Sequence, residues 1–379
     1  MIKRLFLPLV LVIFMHAGYA QQEAVTHAVL YHQSGEFDKA KEKIDLATLD
    51  EKTKVQAKTW YYKGLIYADL ATSANPAFKA LSQDPLKESY EALLKAKELD
   101  PAKGEYYKQS ERKLDELWGE AINTGGVAYE NNKYDDAIKN FELAQKMKPA
   151  DTTAYVYAMW TAEDMKRNDL LKKYAEGLLS NNYKSVYIYQ KLMQMAAQEK
   201  DYNKALEISK KGLADFPQNV ALMQDQGEYY VKTGNTQGAL ENFEYLASVK
   251  PSSIEYNLYA GSMNEKLDKD DRAIQYYNKV LALDPSNVTA NFNMASIYYN
   301  KGKEVLDRVN ANSNIHSHHT TGKETEKEGK DFLLKSYDYA SASYKASKED
   351  GDKKDATDMM DKINKALNRK APEGEVIHK

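Results

Sequence analysis

Four prolines recur at a fixed spacing along the chain. They are separated by 68, 34 and 34 residues, and 68 is twice 34. Each follows an alanine by twelve residues, as in the pair Ala205 and Pro217. A fixed period of 34 residues is typical of helical repeat arrays, in which each repeat packs against its neighbours. The prolines are Pro149, Pro217, Pro251 and Pro285.

Composition excludes several classes of protein. The chain has 379 residues, of which 42% are hydrophobic and 29% charged, and this is enough apolar surface for a packed core. It has no cysteine, which excludes disulfides and thiolate zinc sites. The formal net charge is −3, and the charges are interleaved as on solvated helix faces. This charge gives no indication of a nucleic-acid partner.

The first 20 residues have the features of a secretory signal peptide. Lys3 and Arg4 precede an apolar run from Leu5 to Met15, and small residues follow at Gly18 and Ala20. The run is short for a stable membrane anchor, although a single uncleaved anchor is the alternative. The sequence therefore predicts export and a mature protein, soluble after signal cleavage, that begins at Gln21. We expect it in the periplasm or at the outer membrane of a Gram-negative bacterium.

Small and large residues alternate in register with the prolines. With each proline at position 32 of a 34-residue repeat, position 20 is alanine, and position 8 is small in the clearest repeats, as in Ala239 and Gly227. Positions 11 and 24 carry large residues such as Tyr67 and Phe243. Small residues let two antiparallel helices approach closely, and large residues fill the facing layer. Glycines stand at position 8 in Gly64, Gly125, Gly227 and Gly261.

This combination resembles the tetratricopeptide repeat (TPR) family, and residues 60–64 (Trp-Tyr-Tyr-Lys-Gly) are similar to its first-helix motif. The resemblance implies an all-α fold: a right-handed α-solenoid of about eight helix pairs with a C-terminal capping helix. It also implies that the first helix of each pair lines a concave face. Proteins of this kind hold partners and seldom catalyse reactions.

The register divides the chain into regular and irregular parts. Residues 21–149 hold repeats 1–3 with an insertion at 71–83, and residues 150–285 hold repeats 4–7. Residues 286–370 hold repeat 8, with a His-containing insertion at 303–330, and the capping helix; residues 371–379 are predicted to be a disordered tail. We expect a long first helix in repeat 3 from near Glu105, a displaced helix from about Lys330 to Ser347, and a cap from Asp355 to Arg369. Repeat 4 is degenerate because Tyr183 replaces its proline.

Aromatic and amide side chains are frequent at the positions that face the groove in TPR proteins. Tyr and Trp offer large contact areas at low entropy cost, which suits a recognition surface. The alternative is that many of them contact the next repeat. Position 9 lacks the Asn used by the family's carboxylate clamp, so a partner held by its terminal carboxylate is not expected. The predicted partner-binding residues are Tyr61, Tyr62, Tyr129, Tyr157, Trp160, Tyr187, Gln190, Gln194, Tyr259, Phe292 and Tyr299.

The sequence was also searched for metal-binding and catalytic motifs. His316, His318 and His319 have a spacing that could bind zinc, copper or nickel, or could belong to a polar insertion. The chain has no Gly-x-Ser-x-Gly, HExxH or phosphate-binding glycine motif. The sequence thus predicts a non-enzymatic scaffold without a cofactor that binds a protein or peptide. A metal-binding protein and a self-assembling structural solenoid are the alternatives, and the oligomeric state is not predicted.

Overall fold

The computed structural model describes residues 23–312 and 319–368, and the side chains of 312 and 319–322 are outside this description. The predicted signal peptide and C-terminal tail lie outside the described residues. Contacts divide the chain into two bodies at Lys184/Ser185, here called the N-terminal and C-terminal bodies. Every regular element in the described ranges is a helix, which confirms the all-α prediction.

The N-terminal body contains nine helices within its described residues. Each repeat contributes a first helix, here called A, and a second helix, here called B. The long helix α6 begins at Glu105, as the sequence predicted. The helices are α1 (23–33), α2 (Phe37–Leu49), α3 (Ala57–Thr72), α4 (Pro76–Lys79), α5 (Pro85–Leu99), α6 (Glu105–Glu130), α7 (Tyr134–Met147), α8 (Thr153–Asp164) and α9 (Asn168–Ser180).

The C-terminal body also contains nine helices within its described residues. Its A helices are α10, α12, α14 and α16, and α18 packs on both α16 and α17 as a cap. The helices are α10 (Val186–Gln198), α11 (Tyr202–Asp215), α12 (Val220–Lys232), α13 (Thr236–Val249), α14 (Ile254–Lys266), α15 (Asp270–Leu283), α16 (Val288–Asn312), α17 (His319–Ala346) and α18 (Asp350–Ala366).

The turn between A and B helices repeats with the 34-residue period. At position 15 of six repeats the backbone has a positive φ, between 55° and 78°. This left-handed conformation ends the A helix, and it favours glycine because other residues strain there. Non-glycine residues occupy four of the six turns, including Lys166 of the degenerate repeat 4. The six residues are Gly35, Asn132, Lys166, Lys200, Gly234 and Asp268.

Position 8 glycines lie against large B-helix side chains, as the sequence predicted. A Cβ atom on Gly125 would lie 2.5 Å from Cε1 of Phe141, and one on Gly261 would lie 2.6 Å from Cε1 of Tyr277. Both aromatic rings are fully buried. The A and B helices of these repeats can therefore pack at this distance only without a side chain at position 8.

The residues around each proline join one repeat to the next. Asn219, Ser253 and Asn287 each accept a hydrogen bond from a backbone N–H in the first turn of the following A helix. The buried amide of Asn257 donates to the carbonyl of Pro251 at 2.9 Å, and Asn291 repeats this bond with Pro285 at 3.1 Å. These bonds fix the position at which each A helix begins.

Repeat 8 differs from the sequence prediction. Its B helix α17 begins at His319 rather than near Lys330, and α16 extends to Asn312, so much of residues 303–330 is helical. The polar stretch lacks the apolar spacing that predicts a helix, but Lys330 pairs with Glu326 one turn earlier at 2.5 Å. The cap begins at Asp350, five residues before the predicted start.

No helix in the described residues is long and apolar enough to span a lipid bilayer.

Candidate partner-binding surfaces

The A-helix face of the N-terminal body carries an exposed aromatic pair. Tyr157 and Trp160 on α8 are 40% and 47% exposed, and their rings meet edge to face with centroids 5.8 Å apart. Tyr157 also stacks on the buried ring of Phe141, with centroids 5.5 Å apart. The pair is thus supported from below and open to solvent above, which is the arrangement of a rigid contact surface.

Neighbouring residues extend this surface onto α6. A Cβ on Gly126 would meet no atom within 4 Å, and Val127 beside it is 59% exposed. Tyr129 donates a hydrogen bond to Asp164 at 2.5 Å, which joins α6 to α8. This bond, followed by burial, raises the pKa of the Tyr129 hydroxyl. The surface formed by Tyr129, Tyr157 and Trp160 is here called the aromatic platform.

The two predicted tyrosines of α3 contact other side chains. Tyr61 and Tyr62 meet edge to face with centroids 5.4 Å apart, and Tyr61 also contacts Tyr106 at 5.6 Å. Tyr62 packs on the apolar core of repeats 1 and 2. Both rings are half-buried, so they offer less free surface than the aromatic platform.

In the C-terminal body, a cleft of about 310 Å³ opens on the A-helix side. It is lined by residues of α10 and α12 and by Tyr202, the first residue of α11. The ring of Tyr202 stacks on Tyr229, with centroids 6.2 Å apart and an interplanar angle of 29°. The cleft is lined by Gln194, Ala197, Gln198, Tyr202, Glu228, Tyr229 and Lys232.

Acidic side chains adjoin the cleft. Asp225 on α12 accepts a hydrogen bond from Gln190 on α10 at 3.0 Å, and burial raises the pKa of its carboxyl group. Burial, and then the charges of Asp225 and Glu228, raise the pKa of Tyr229 to about 12. The hydroxyl of Tyr256 on α14 donates to Gln224 at 2.8 Å, which continues the polar line to the next repeat.

The remaining predicted residues of this body divide into exposed and packed groups. Tyr187, at 39% exposure, and Gln194 are exposed on α10. The ring of Tyr259 stacks on buried Phe243 with centroids 4.4 Å apart, while Phe292 and Tyr299 pack against the core formed with α17 and α18. Packing against a neighbouring helix, the alternative weighed for the sequence, thus applies to these three.

The sequence prediction left out four residues around the cleft. Asp225 and Glu228 occupy groove positions 6 and 9, but the sequence prediction selected only aromatic and amide residues at these positions. Tyr229 stands at position 10, beside the groove positions, and Tyr202 belongs to a B helix. Only the three-dimensional path of the turn brings Tyr202 to the A-helix side.

The candidate metal ligands lie outside the description. His316 and His318 are not among the described residues, and nothing is described of the His319 side chain. Among the described side chains, no three His, Asp or Glu residues cluster as a metal site would require.

Comparison with known proteins identifies the repeats. The family model for the TPR repeat matches residues 261–302, from the position 8 glycine of repeat 7 to Gly302 at position 15 of repeat 8. The chain contains tetratricopeptide repeats. On the N-terminal side of this match, the same turn conformation occurs in repeats 1 and 3–6, and the position 8 glycine occurs in repeats 2, 3 and 6.

Several solved structures are similar to parts of the chain. YrrB, a TPR protein with an unusual peptide-binding site, is 16% identical over 45% of this chain and 88% of its own, with a TM-score of 0.37. A MamA structure is 18% identical over 44% of this chain and 92% of its own, with a TM-score of 0.37. A TPR protein from Bacteroides fragilis is 15% identical over 66% of this chain and 98% of its own, with a TM-score of 0.31. No curated protein matches the chain.

Proposed function

We propose that the protein is a non-enzymatic scaffold that binds a protein or peptide partner through the A-helix faces of its TPR repeats. The proposal rests above all on where the exposed aromatic side chains lie. Among the described residues, four aromatic side chains are more than a third exposed, and Tyr157, Trp160 and Tyr187 of these are on A helices. Solvent exposure of several large rings on one kind of helix is typical of an interaction surface.

The B helices provide a contrast. Their aromatic residues at position 24, Phe141, Phe243 and Tyr277, are fully buried against glycine. The exposed apolar residues of B helices are aliphatic, such as Leu94 and Leu283. Scattered aliphatic residues are normal on a soluble surface, whereas a supported aromatic pair such as Tyr157 and Trp160 favours specific contact.

We also propose that the scaffold acts in the bacterial cell envelope, in an assembly, secretion or motility complex. The N-terminal residues 1–20 support export, because a basic start, an apolar run and small residues occur in that order. Mass spectrometry of the protein purified from its native cells tests this step. A mature form beginning at Gln21 is expected, and an intact Met1 would contradict signal cleavage.

Site-specific cross-linking tests the binding face. A photo-reactive phenylalanine analogue placed at Trp160 or Tyr187 should capture the same partner in living cells. Matched controls place the analogue at Leu94 and Leu283, which are similarly exposed, at 41% and 46%, but lie on B helices. Partner capture from the control positions and not from the A-helix positions would refute the proposed face.

A further inference from the structure

The α12 face combines tyrosines with two carboxylates that have no ion-pair partner among the described residues. In the described residues neither Asp225 nor Glu228 forms an ion pair; the side-chain amides of Gln190 and Gln224 donate hydrogen bonds to them. Burial raises the pKa of Asp225 and only the Gln190 hydrogen bond opposes it. A half-buried carboxylate held by one neutral donor gains strongly from an incoming cation.

Three tyrosines lie within the electrostatic influence of Glu228. The charge of Glu228 acts on Tyr229, Tyr256 and Tyr259, which belong to two successive A helices. Tyr202 covers Tyr229 from the side of α11. Aromatic faces attract ammonium and guanidinium groups, and this attraction is largest where solvent is partly excluded.

The charges near the cleft have an acidic excess. Glu228 lines the cleft, Asp225 precedes it by one helical turn, and Glu255 on α14 acts on Tyr256 and Tyr259 together with Glu228. Lys232 is the basic residue in the lining, and Lys250 lies over the Tyr256 ring at 6.0 Å, so the region holds three carboxylates and two ammonium groups. A basic partner segment fits this balance, and an acidic one would be repelled.

We propose that the face formed by Asp225, Glu228, Tyr202 and Tyr229 binds a lysine or arginine side chain of the partner segment. The two carboxylates accept hydrogen bonds from the cation, and the stacked tyrosines contact its flat or aliphatic part. The inference rests on the proposed function, because it specifies the chemistry of the segment that the A-helix face binds. The cleft volume of about 310 Å³ suits one long side chain rather than a folded element.

Peptide selection tests this specificity on the full chain. A random 12-residue display library is selected against the wild-type protein, against the double variant Asp225→Asn/Glu228→Gln, and against the control Glu207→Gln/Glu241→Gln. The control removes two exposed carboxylates from the B helices α11 and α13, so both variants lose the same charge. Lysine or arginine should be enriched at one peptide position with the wild type and the control, and not with the site variant.

A synthetic peptide with the selected sequence then tests the contribution of the cationic side chain alone. Replacing its selected arginine with citrulline, or lysine with norleucine, should weaken binding to the wild type at least tenfold and to the site variant less than threefold. Calorimetry measures each affinity. Equal losses on both proteins would overturn the inference, because the cation would then act elsewhere.

Other outcomes separate this inference from the proposed function. Peptides without basic enrichment that cross-link to a photo-reactive group at Gln194 would overturn the cation site and leave A-helix binding in place. Peptides that cross-link neither at Gln194 nor at Trp160 would overturn both, and a library that yields no binder would overturn the cation site.

Discussion

Two adjacent glycines in α6 allow the close packing at position 8 to be tested by substitutions within one helix. Gly125 faces the ring of Phe141, where an added Cβ would lie 2.5, 2.8 and 3.0 Å from three ring atoms. Gly126 faces open space, where an added Cβ would meet nothing within 4 Å. Alanine at Gly125 is therefore expected to destabilise the N-terminal body, and alanine at Gly126 to stabilise it.

The magnitude follows from two opposing effects. Replacing a helical glycine with alanine gains about 0.5–1 kcal/mol at either position, because the unfolded chain loses conformational freedom. At Gly125 the methyl group must displace a fully buried ring, and overpacking of this kind costs about 1–3 kcal/mol. The helix-propensity gain is common to both variants, so their free energies of unfolding should differ by about 1–3 kcal/mol.

Tryptophan emission makes the assay specific to one body. The chain's three tryptophans, Trp60, Trp118 and Trp160, all belong to the N-terminal body. Urea unfolding followed by their emission should therefore rank Gly126→Ala above wild type and Gly125→Ala lowest of the three. A difference between the two variants of less than about 0.5 kcal/mol would refute the close-packing interpretation of position 8.

Three further outcomes follow from the structure. Lys166→Gly should raise the free energy of unfolding by about 1 kcal/mol, because Lys166 has a φ of 55°, which strains residues other than glycine. Lys172→Gly lies within α9 and should lower the free energy of unfolding by about 1 kcal/mol. Urea unfolding followed by tryptophan emission compares the two variants. The pKa of Asp45 and of Glu142 is lowered: burial opposes the shift, but lysine and tyrosine donors outweigh it. Their contribution is therefore complete above an unfolded-state pKa of about 4 and lost as pH falls through the lower folded-state values. Asp45→Asn should then cost about 1 kcal/mol at pH 7 and progressively less as the pH falls below about 4. The pKa of Asp225 is raised instead, so its charged form destabilises the folded C-terminal body at pH 7. Asp225→Asn should therefore increase the free energy of unfolding at pH 7, by less than about 1 kcal/mol because the group is half-exposed. Circular dichroism melts should show a slightly higher Tm at pH 7 and no increase below about pH 4.

The regular part of the fold could be predicted because each local signal agrees with the next. The 34-residue prolines, the alanines at position 20 and the glycines at position 8 all specify the same helix contacts, as Gly261 and Tyr277 show. The start of α6 at Glu105 also followed from the sequence. Such agreement between levels is what lets a short pattern specify a structure.

The site was less predictable, because exposure depends on packing between repeats. Tyr157 and Tyr259 stand at similar groove positions and each stacks on a position 24 ring, yet Tyr157 is exposed and Tyr259 is half-buried. The cleft beside Tyr202 arises from a contact between a B-helix start and a neighbouring A helix, which no single-repeat pattern contains. Residue type indicated which side chains could bind, and the helix packing determined which remain accessible.

The turn, more than the proline, maintains the period. Repeat 4 lacks both the proline and the position 8 glycine, yet Lys166 keeps the left-handed turn and its helices keep ordinary lengths. In repeats 2 and 8, position 15 is helical instead, at Ala71 and Gly302, and in both the A helix runs past the usual turn into an insertion. Gly302 has the residue type that a turn prefers, but a Cβ there would lie 2.8 Å from the carbonyl oxygen of Gly329. Glycine is needed at residue 302 because α16 and α17 approach closely there. At position 15, glycine therefore ends the A helix in repeat 6 and permits a long helical hairpin in repeat 8.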